Sequence, residues 1–478
     1  MNKNLKKYVI NFDQSILQCM RKINNNGKGF CLVQKQKKII GNITDGDIRR
    51  FLTKAGSLKS KVLSAANKNI NFICSDNLNL PNIHKNIFNK SVKYMPVLNK
   101  QRELKKILFP IVKFSTSLVK PYIQGNEIKY LTECVKSNWI SSQGKFIQKF
   151  EQKFKKVFKV KYNLSTSNGT NALHLILSAL NIKKNDEVIV PNYTFVGSIN
   201  PIIYNHAKPK LVDIDDHYGI DPKKIEKFIT KKTKAIIAVH LFGVPAKIIE
   251  LKKICKKYNL FLIEDCAEAI GTYINKTHVG SYGDASMFSF FGNKTITTGE
   301  GGMACFKNKR SYQKALILRD HGMSKIKKYW HNNIGYNYRM TNMQASVGLA
   351  QLENYKKIIR KKRRIANIYI NSLKKNVNIK LLPIKNNIIN SYWFFIVEIK
   401  NIKKYKTVKL INFLKNSGIE ARRSFYPLNE MNIYKKYSTS KKMIFSQIKS
   451  KSCILLPCWP GMSDEEVRYI SKKLNSFF

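Results

Sequence analysis

Lys294 is the residue whose surroundings most invite chemistry. It closes the run Phe288-Ser289-Phe290-Phe291-Gly292-Asn293-Lys294, and Thr295-Ile296-Thr297-Thr298-Gly299-Glu300-Gly301-Gly302 follows it. An aromatic stretch on one side and a glycine-rich loop on the other can strip water from an amine, favouring the neutral nucleophile that a Schiff base requires. In a chain with 87 Lys and Arg, a lysine is otherwise a solvated surface group. Asp265 and Glu268 follow the apolar run Phe261-Leu262-Ile263. An acid there can hold a protonated ring nitrogen, or it can be a solvated loop carboxylate. The third segment is Ser165-Thr166-Ser167-Asn168-Gly169-Thr170-Asn171. Free N–H groups at a helix start, aided by the helix dipole, can hold a phosphate. The same residue types also serve as an ordinary helix cap.

Chemistry from segments this far apart requires a scaffold that gathers them. Strand-like runs at 187–191, 209–213, 235–240 and 260–264 alternate with helical patterns at 170–180, 222–230 and 246–258. That alternation predicts a mainly parallel sheet covered on both faces. In such sheets, ligands collect at the carboxyl ends of the strands. A long helical pattern over 346–370 carries the basic run Lys356-Lys357-Ile358-Ile359-Arg360-Lys361-Lys362-Arg363-Arg364. Those charges are expected on a solvated face. Beyond about 375, a short strand (392–399) and helices (408–417, 464–474) predict a smaller α+β domain.

In this order, the glycine-threonine turn, Glu264-Asp265-Cys266-Ala267-Glu268 and Ser289-Phe290-Phe291-Gly292-Asn293-Lys294 resemble the sugar aminotransferases of the DegT/DnrJ/EryC1/StrS family. The likeness extends over about 118–478, through Gly335-Tyr336-Asn337-Tyr338-Arg339-Met340-Thr341-Asn342 and Leu455-Leu456-Pro457. It implies the pyridoxal-phosphate (PLP) dependent aspartate-aminotransferase type I fold, with a large mainly parallel-sheet domain at 116–373 and a small α+β domain at 374–478. By resemblance, Lys294 is the Schiff-base lysine and Asp265 pairs with the ring nitrogen. Glu268 approaches the ring hydroxyl, where relatives often have Gln. Phe195 stacks on the ring, and Gly169, Thr170 and Ser289 hold the phosphate. Asn337 reaches that phosphate from a neighbouring subunit, which implies a homodimer with shared sites. The substrates implied are L-glutamate and a nucleotide-linked keto-sugar, with no metal. Trp139-Ile140-Ser141-Ser142 and the stretches 290–302 and 334–341 are most similar to GDP-perosamine synthases, implying amination of GDP-4-keto-6-deoxymannose for surface polysaccharide. The alternatives are a 3- or 4-aminotransferase for another nucleotide sugar, and a non-catalytic regulatory protein on the same fold. Such a regulator is expected to have lost the lysine, whereas Lys294 and Asp265 are both retained.

Residues 1–115 read as a separate accessory unit. Gly41-Asn42-Ile43-Thr44-Asp45-Gly46-Asp47-Ile48 resembles a cystathionine-β-synthase (CBS) domain, with Gly41, Thr44 and Asp47 matching its nucleotide signature. That implies an adenosine-type nucleotide at Thr44 and Asp47, although Asp47 can equally cap a helix. The second half, 95–110, lacks the signature, so one ligand is the most this unit is expected to bind. The formal charge of +58 is spread over every segment without a nucleic-acid reader motif, so no nucleic-acid partner is expected. Nine cysteines without CxxC spacing or a His/Cys cluster predict free buried thiols rather than zinc or disulfides. No apolar run reaches the ~18 to 20 residues of a membrane span. The basic stretch Met1 to Lys7 leads into no apolar segment with a cleavage site, so a cytoplasmic location is expected.

Overall fold

A computed structural model describes residues 3–75, 94–108, 115–382, 384, 386–402, 406–440 and 442–478. Met1, Asn2, Phe109 and Pro110, used in the sequence expectations, lie outside them. The chain divides into two compact units, Met1–Lys113 and Phe114–Phe478.

In the first unit, β1 (Val9–Asn11) lies parallel to β2 (Phe30–Lys35), which turns back into β3 (Lys38–Thr44). A second small sheet holds β4 (Ile73–Cys74), β5 (Met95–Leu98) and β6 (Leu104–Leu108). All three residues of the nucleotide-like signature have structural work. A Cβ on Gly41 would sit 2.7 Å from the Asn67 carbonyl oxygen. Its absence lets Asn42 and Asn67 exchange backbone hydrogen bonds of 3.0 and 2.8 Å. Thr44 caps the helix Asp45–Thr53 in a reciprocal box. The Asp47 amide donates to Thr44 Oγ1 (3.2 Å), and the Thr44 amide donates to Asp47 Oδ2 (2.9 Å). Arg50 occupies the other Asp47 oxygen at 2.5 Å.

The second unit is built on a seven-stranded sheet of β7 (Tyr162–Thr166), β8 (Glu187–Pro191), β9 (Lys208–Val212), β10 (Thr233–Val239), β11 (Phe261–Asp265), β12 (Ala285–Ser289) and β13 (Gly302–Phe306). Their order is β7-β13-β12-β11-β10-β8-β9, and only β13 runs antiparallel to its neighbours. Because successive side chains point to opposite faces, each strand feeds two cores. Val188 and Val190 of β8 enter one and Ile189 the other, as do Ala235 and Ile237 against Ile236 and Ala238 of β10. The helix Gly169–Ala179 packs in the first core. In the second, Lys145–Phe158 contributes Phe146, Phe150, Phe154 and Phe158, at the four-residue spacing of one helical face.

The helical pattern expected over 346–370 is two helices, Asn342–Glu353 and Tyr355–Leu373, meeting at Asn354. One residue of its basic run departs from the expected solvated face, since Lys362 is buried. The C-terminal sheet comprises β14 (Ile379–Leu381), β15 (Phe395–Ile399), β16 (Arg422–Arg423) and β17 (Cys453–Leu456), in the order β14-β15-β17-β16. The strand expected from residue 392 starts at 395 because Tyr392 takes a left-handed turn (φ 50°). All nine cysteines are free and eight are buried. Among the described residues, no helix is long and apolar enough to cross a membrane.

Candidate active site

Parallel strands deliver their carboxyl ends to one edge of the sheet, and the predicted residues gather there. Asp265 is the last residue of β11 and is buried rather than solvated. Its Oδ2 accepts from Ser198 Oγ at 2.7 Å and its Oδ1 from the Ala267 amide at 3.0 Å. Ser198 lies in the turn that follows Phe195 and bonds Thr194 Oγ1 at 2.9 Å. The Phe195 turn and the Asp265 carboxylate are therefore tied together. Ser198 was not foreseen, because a serine in a loop carries no motif of its own.

The helix beginning at Gly169 is capped by Asn168, whose side chain accepts only the Asn171 amide, at 2.8 Å. The Gly169 and Thr170 amides find no acceptor among the described residues. A Cβ on Gly169 would stand 2.9 Å from Ser289 Cβ, and one on Gly197 would meet Phe195 at 3.2 Å and Thr170 Oγ1 at 3.3 Å. Gly169, Thr170, Ser289 and the 195–198 turn thus form one cradle. Phe195 is 58% exposed, with Phe425 beside it at a ring separation of 6.2 Å.

Lys294 sits in the turn leaving β12, its amide bonded to the Phe291 carbonyl at 2.9 Å. The side chain is 12% exposed, with Nζ 3.5 Å from Glu268 Oε1. On another side the Trp393 ring centroid lies 4.0 Å from the same nitrogen. Trp393 is fixed by its indole N–H, which donates to the Asn293 carbonyl at 2.8 Å, and by its own carbonyl, which accepts from Lys362 Nζ at 3.2 Å. Lys362 also donates to the Cys458 carbonyl. Burial lowers the Lys362 pKa from its ordinary value. Trp393 was missed because nothing local marks a tryptophan about a hundred residues from the lysine it covers.

Glu268 is buried, and its Oε2 accepts the Phe242 amide at 3.0 Å. Burial pushes its carboxyl up from 4.5 to about 7, against the opposing pull of Lys294. Asn337 is exposed, and among the described residues its side chain makes no hydrogen bond, to the cradle or elsewhere. Its neighbours are pinned, Tyr338 to the Ser167 amide and to His174 Nδ1 (both 2.9 Å), and Tyr336 to Ser178 at 3.2 Å.

The fold also gathers His240, Glu264 and Cys266, a cluster invisible in linear spacing. Its imidazole and carboxylate are already engaged. His240 Nδ1 accepts the Ala246 amide (3.0 Å), leaving Nε2 to donate to Glu264 (3.1 Å). Glu264 accepts three further amides, from Gly280, Tyr282 and Gly283. The cluster is a saturated brace under β11, not an open ligand set.

The donor set fits pyridoxal phosphate: an amine for its aldehyde, a buried carboxylate for its ring nitrogen, and two uncapped amides beside a hydroxyl for its phosphate. Asn293 Oδ1 and Thr295 Oγ1, on either side of Lys294, are buried without partners among the described residues, as expected where a further polar group belongs. Fold and site define a PLP-dependent sugar aminotransferase. The chain belongs to the DegT/DnrJ/EryC1/StrS aminotransferase family, which matches residues 121–475. A GDP-perosamine synthase from Vibrio cholerae is 42% identical over 360 residues, 75% of this chain and 98% of that protein. One from Escherichia coli O157:H7 is 43% identical over 363 residues, 75% and 97% of the two chains. Helicobacter pylori PseC, an aminotransferase involved in pseudoaminic acid biosynthesis, superposes with a TM-score of 0.72 at 26% identity, over 76% of this chain and 99% of its own. An E. coli GDP-4-keto-6-deoxy-D-mannose-3-dehydratase with bound hydrated PLP gives 0.70 at 25%, over 75% and 98%. A dehydratase on this fold shows that the fold alone does not choose the reaction.

Proposed function

We propose that this enzyme transfers the amino group of L-glutamate to C4 of GDP-4-keto-6-deoxymannose, giving GDP-perosamine for surface polysaccharide. The observation that carries this reading is the identity of 42% and 43% with two GDP-perosamine synthases over nearly their whole lengths. When bound, pyridoxal phosphate supplies an aldehyde for covalent capture of an amine and a ring that draws electrons from the donor carbon.

The chain's own residues do the rest. Lys294 would hold the cofactor by its amine, and its Nζ, when free, would carry the proton from the donor Cα in the first half-reaction and return one to C4 of the sugar in the second. Asp265, oriented by Ser198 and the Ala267 amide, faces the ring nitrogen, and Glu268 faces the ring hydroxyl. Phe195 covers one ring face. The Gly169 and Thr170 amides, with Ser289, hold the phosphate at the helix start.

Asn337 completes the phosphate site of a second subunit in a homodimer. Its exposure supports this role, as do the exposed apolar side chains of Ile326, Tyr329, Trp330 and Ile334 in the same loop region. Residues 116–373 and 374–478 form the large and small domains of the fold. Residues 1–115 form a CBS-pair-like accessory module binding at most one adenosine-type nucleotide. Glutamate and a panel of GDP-, dTDP- and UDP-linked 4-keto and 3-keto sugars, read by mass spectrometry, test the acceptor. The GDP 4-keto sugar is expected to gain the amine. Amination of a dTDP or UDP sugar with none of the GDP sugar overturns the assignment.

A further inference from the structure

The Glu268 carboxylate is divided in its duties. Oε2 is anchored by the Phe242 amide at 3.0 Å, whereas Oε1 is turned to Lys294 Nζ at 3.5 Å. Phe242 in turn stacks on Trp393, with ring centroids 6.3 Å apart and an interplanar angle of 10°, and Trp393 covers Lys294. The amine is thus boxed by an aromatic face and one carboxylate oxygen, with side-chain exposures of only 12% for Lys294 and 5% for Glu268.

We propose that Glu268 is the proton acceptor for Lys294, taking the proton that the ammonium must lose before it can capture the cofactor's aldehyde. The proposal rests on the reading of Lys294 as the cofactor-holding residue. In the step, one Nζ–H bond of Lys294 breaks and the proton passes to Glu268 Oε1. The electron pair stays on Nζ as the nucleophilic lone pair, so an ion pair becomes a neutral pair and no other reactant is needed. Burial penalises the charged form of Glu268, which favours its taking up the proton.

The groups facing Glu268 agree with this role. Lys294 is the cation, Asp265 on β11 adds like-charge repulsion, and Tyr193, beyond β8, is a buried phenol held protonated by its own desolvation. The carboxyl raised to about 7 is therefore able to hold a proton near neutral pH, unlike an exposed glutamate. A glutamine at this position, which can make the same Phe242 contact, cannot take up that proton.

The test uses the full-length protein freed of cofactor. Pyridoxal phosphate is added and its capture rate is followed by absorbance from about pH 5.5 to 8.5, after which borohydride and peptide mass spectrometry locate the captured group. The native rate is expected to rise about tenfold through a step centred near pH 7, as Glu268 becomes able to accept a proton. Glu268→Gln is expected to lose that step and to capture about tenfold more slowly at pH 8. Glu268→Asp, which retains an acid one methylene further back, is expected to recover a displaced step. Any step from the cofactor's own phosphate is common to all three proteins. A native-like step in Glu268→Gln overturns the proposal while leaving the function intact. If that variant fails to fold, an undisplaced step in Glu268→Asp overturns it instead. Capture on a lysine other than Lys294 overturns both.

Discussion

Two helix starts in this molecule carry nearly the same residue types and cap their first amides differently. At Thr44 the polar groups close on one another, with Asp47 returning the hydrogen bonds that Thr44 gives and Arg50 occupying the remaining oxygen. At Gly169 the cap serves only the Asn171 amide, and the first two amides have no acceptor among the described residues, with Ser289 and the Phe195 turn packed close by. What separates a cap from a binding site is thus not the residue types. A site appears where the local bookkeeping is left open and where other strand ends converge on the opening.

That contrast can be broken at either end. The largest effect is expected from Lys294→Ala, which should lower glutamate-dependent turnover by about a thousandfold or more with an unchanged thermal unfolding profile. Near-native turnover in the folded variant removes the lysine from the mechanism. Asp265→Asn should lower turnover by about a hundredfold while cofactor still binds, because an amide cannot balance a charged ring nitrogen. Equal rates for variant and native protein place another group at that nitrogen. Gly169→Val should weaken PLP by about tenfold, ~1.4 kcal/mol, because a Cβ there lies 2.9 Å from Ser289 Cβ. The matching lesion at the other helix, Asp47→Ala, should instead cost about 1 kcal/mol of stability in the first unit with turnover unchanged. A loss of PLP affinity in Asp47→Ala, or none in Gly169→Val, erases the distinction.

A subtler expectation concerns stability rather than rate. Because the folded state raises the Glu268 carboxyl from 4.5 to about 7, the cofactor-free fold binds this proton more tightly than the unfolded chain does. The penalty is absent below pH 4.5, grows between the two values and is complete above about 7, where it amounts to roughly 3 kcal/mol. Denaturant titrations of the cofactor-free protein should therefore show native stability falling relative to Glu268→Gln as pH rises through that window. A constant difference removes the buried titration.

Much of this arrangement was legible in the sequence because it depends on local order. Strand-helix alternation announced a mainly parallel sheet, and the run into Lys294 announced a shielded amine. One boundary moved by three residues where backbone geometry, at Tyr392, overrode the apolar pattern. What stayed hidden is what depends on distant chain meeting distant chain. Trp393 and Ser198 have no motif, and Lys362 looked like one more cation in a basic run until the fold turned it inward. The His240, Glu264 and Cys266 brace is likewise a product of strand neighbours rather than of spacing.

Lys362 has a consequence for how the protein is made. Its ammonium is shared between the carbonyls of Trp393 and Cys458, so the tryptophan that covers Lys294 is seated by a segment near the C-terminus. A ribosome adding about 5–20 residues per second places the codons for Lys294 and Cys458 roughly ten to thirty seconds apart. Through that interval the nascent chain carries Lys294 without its finished cover. Closure of the cover over Lys294 accordingly waits for residues made long after the lysine itself.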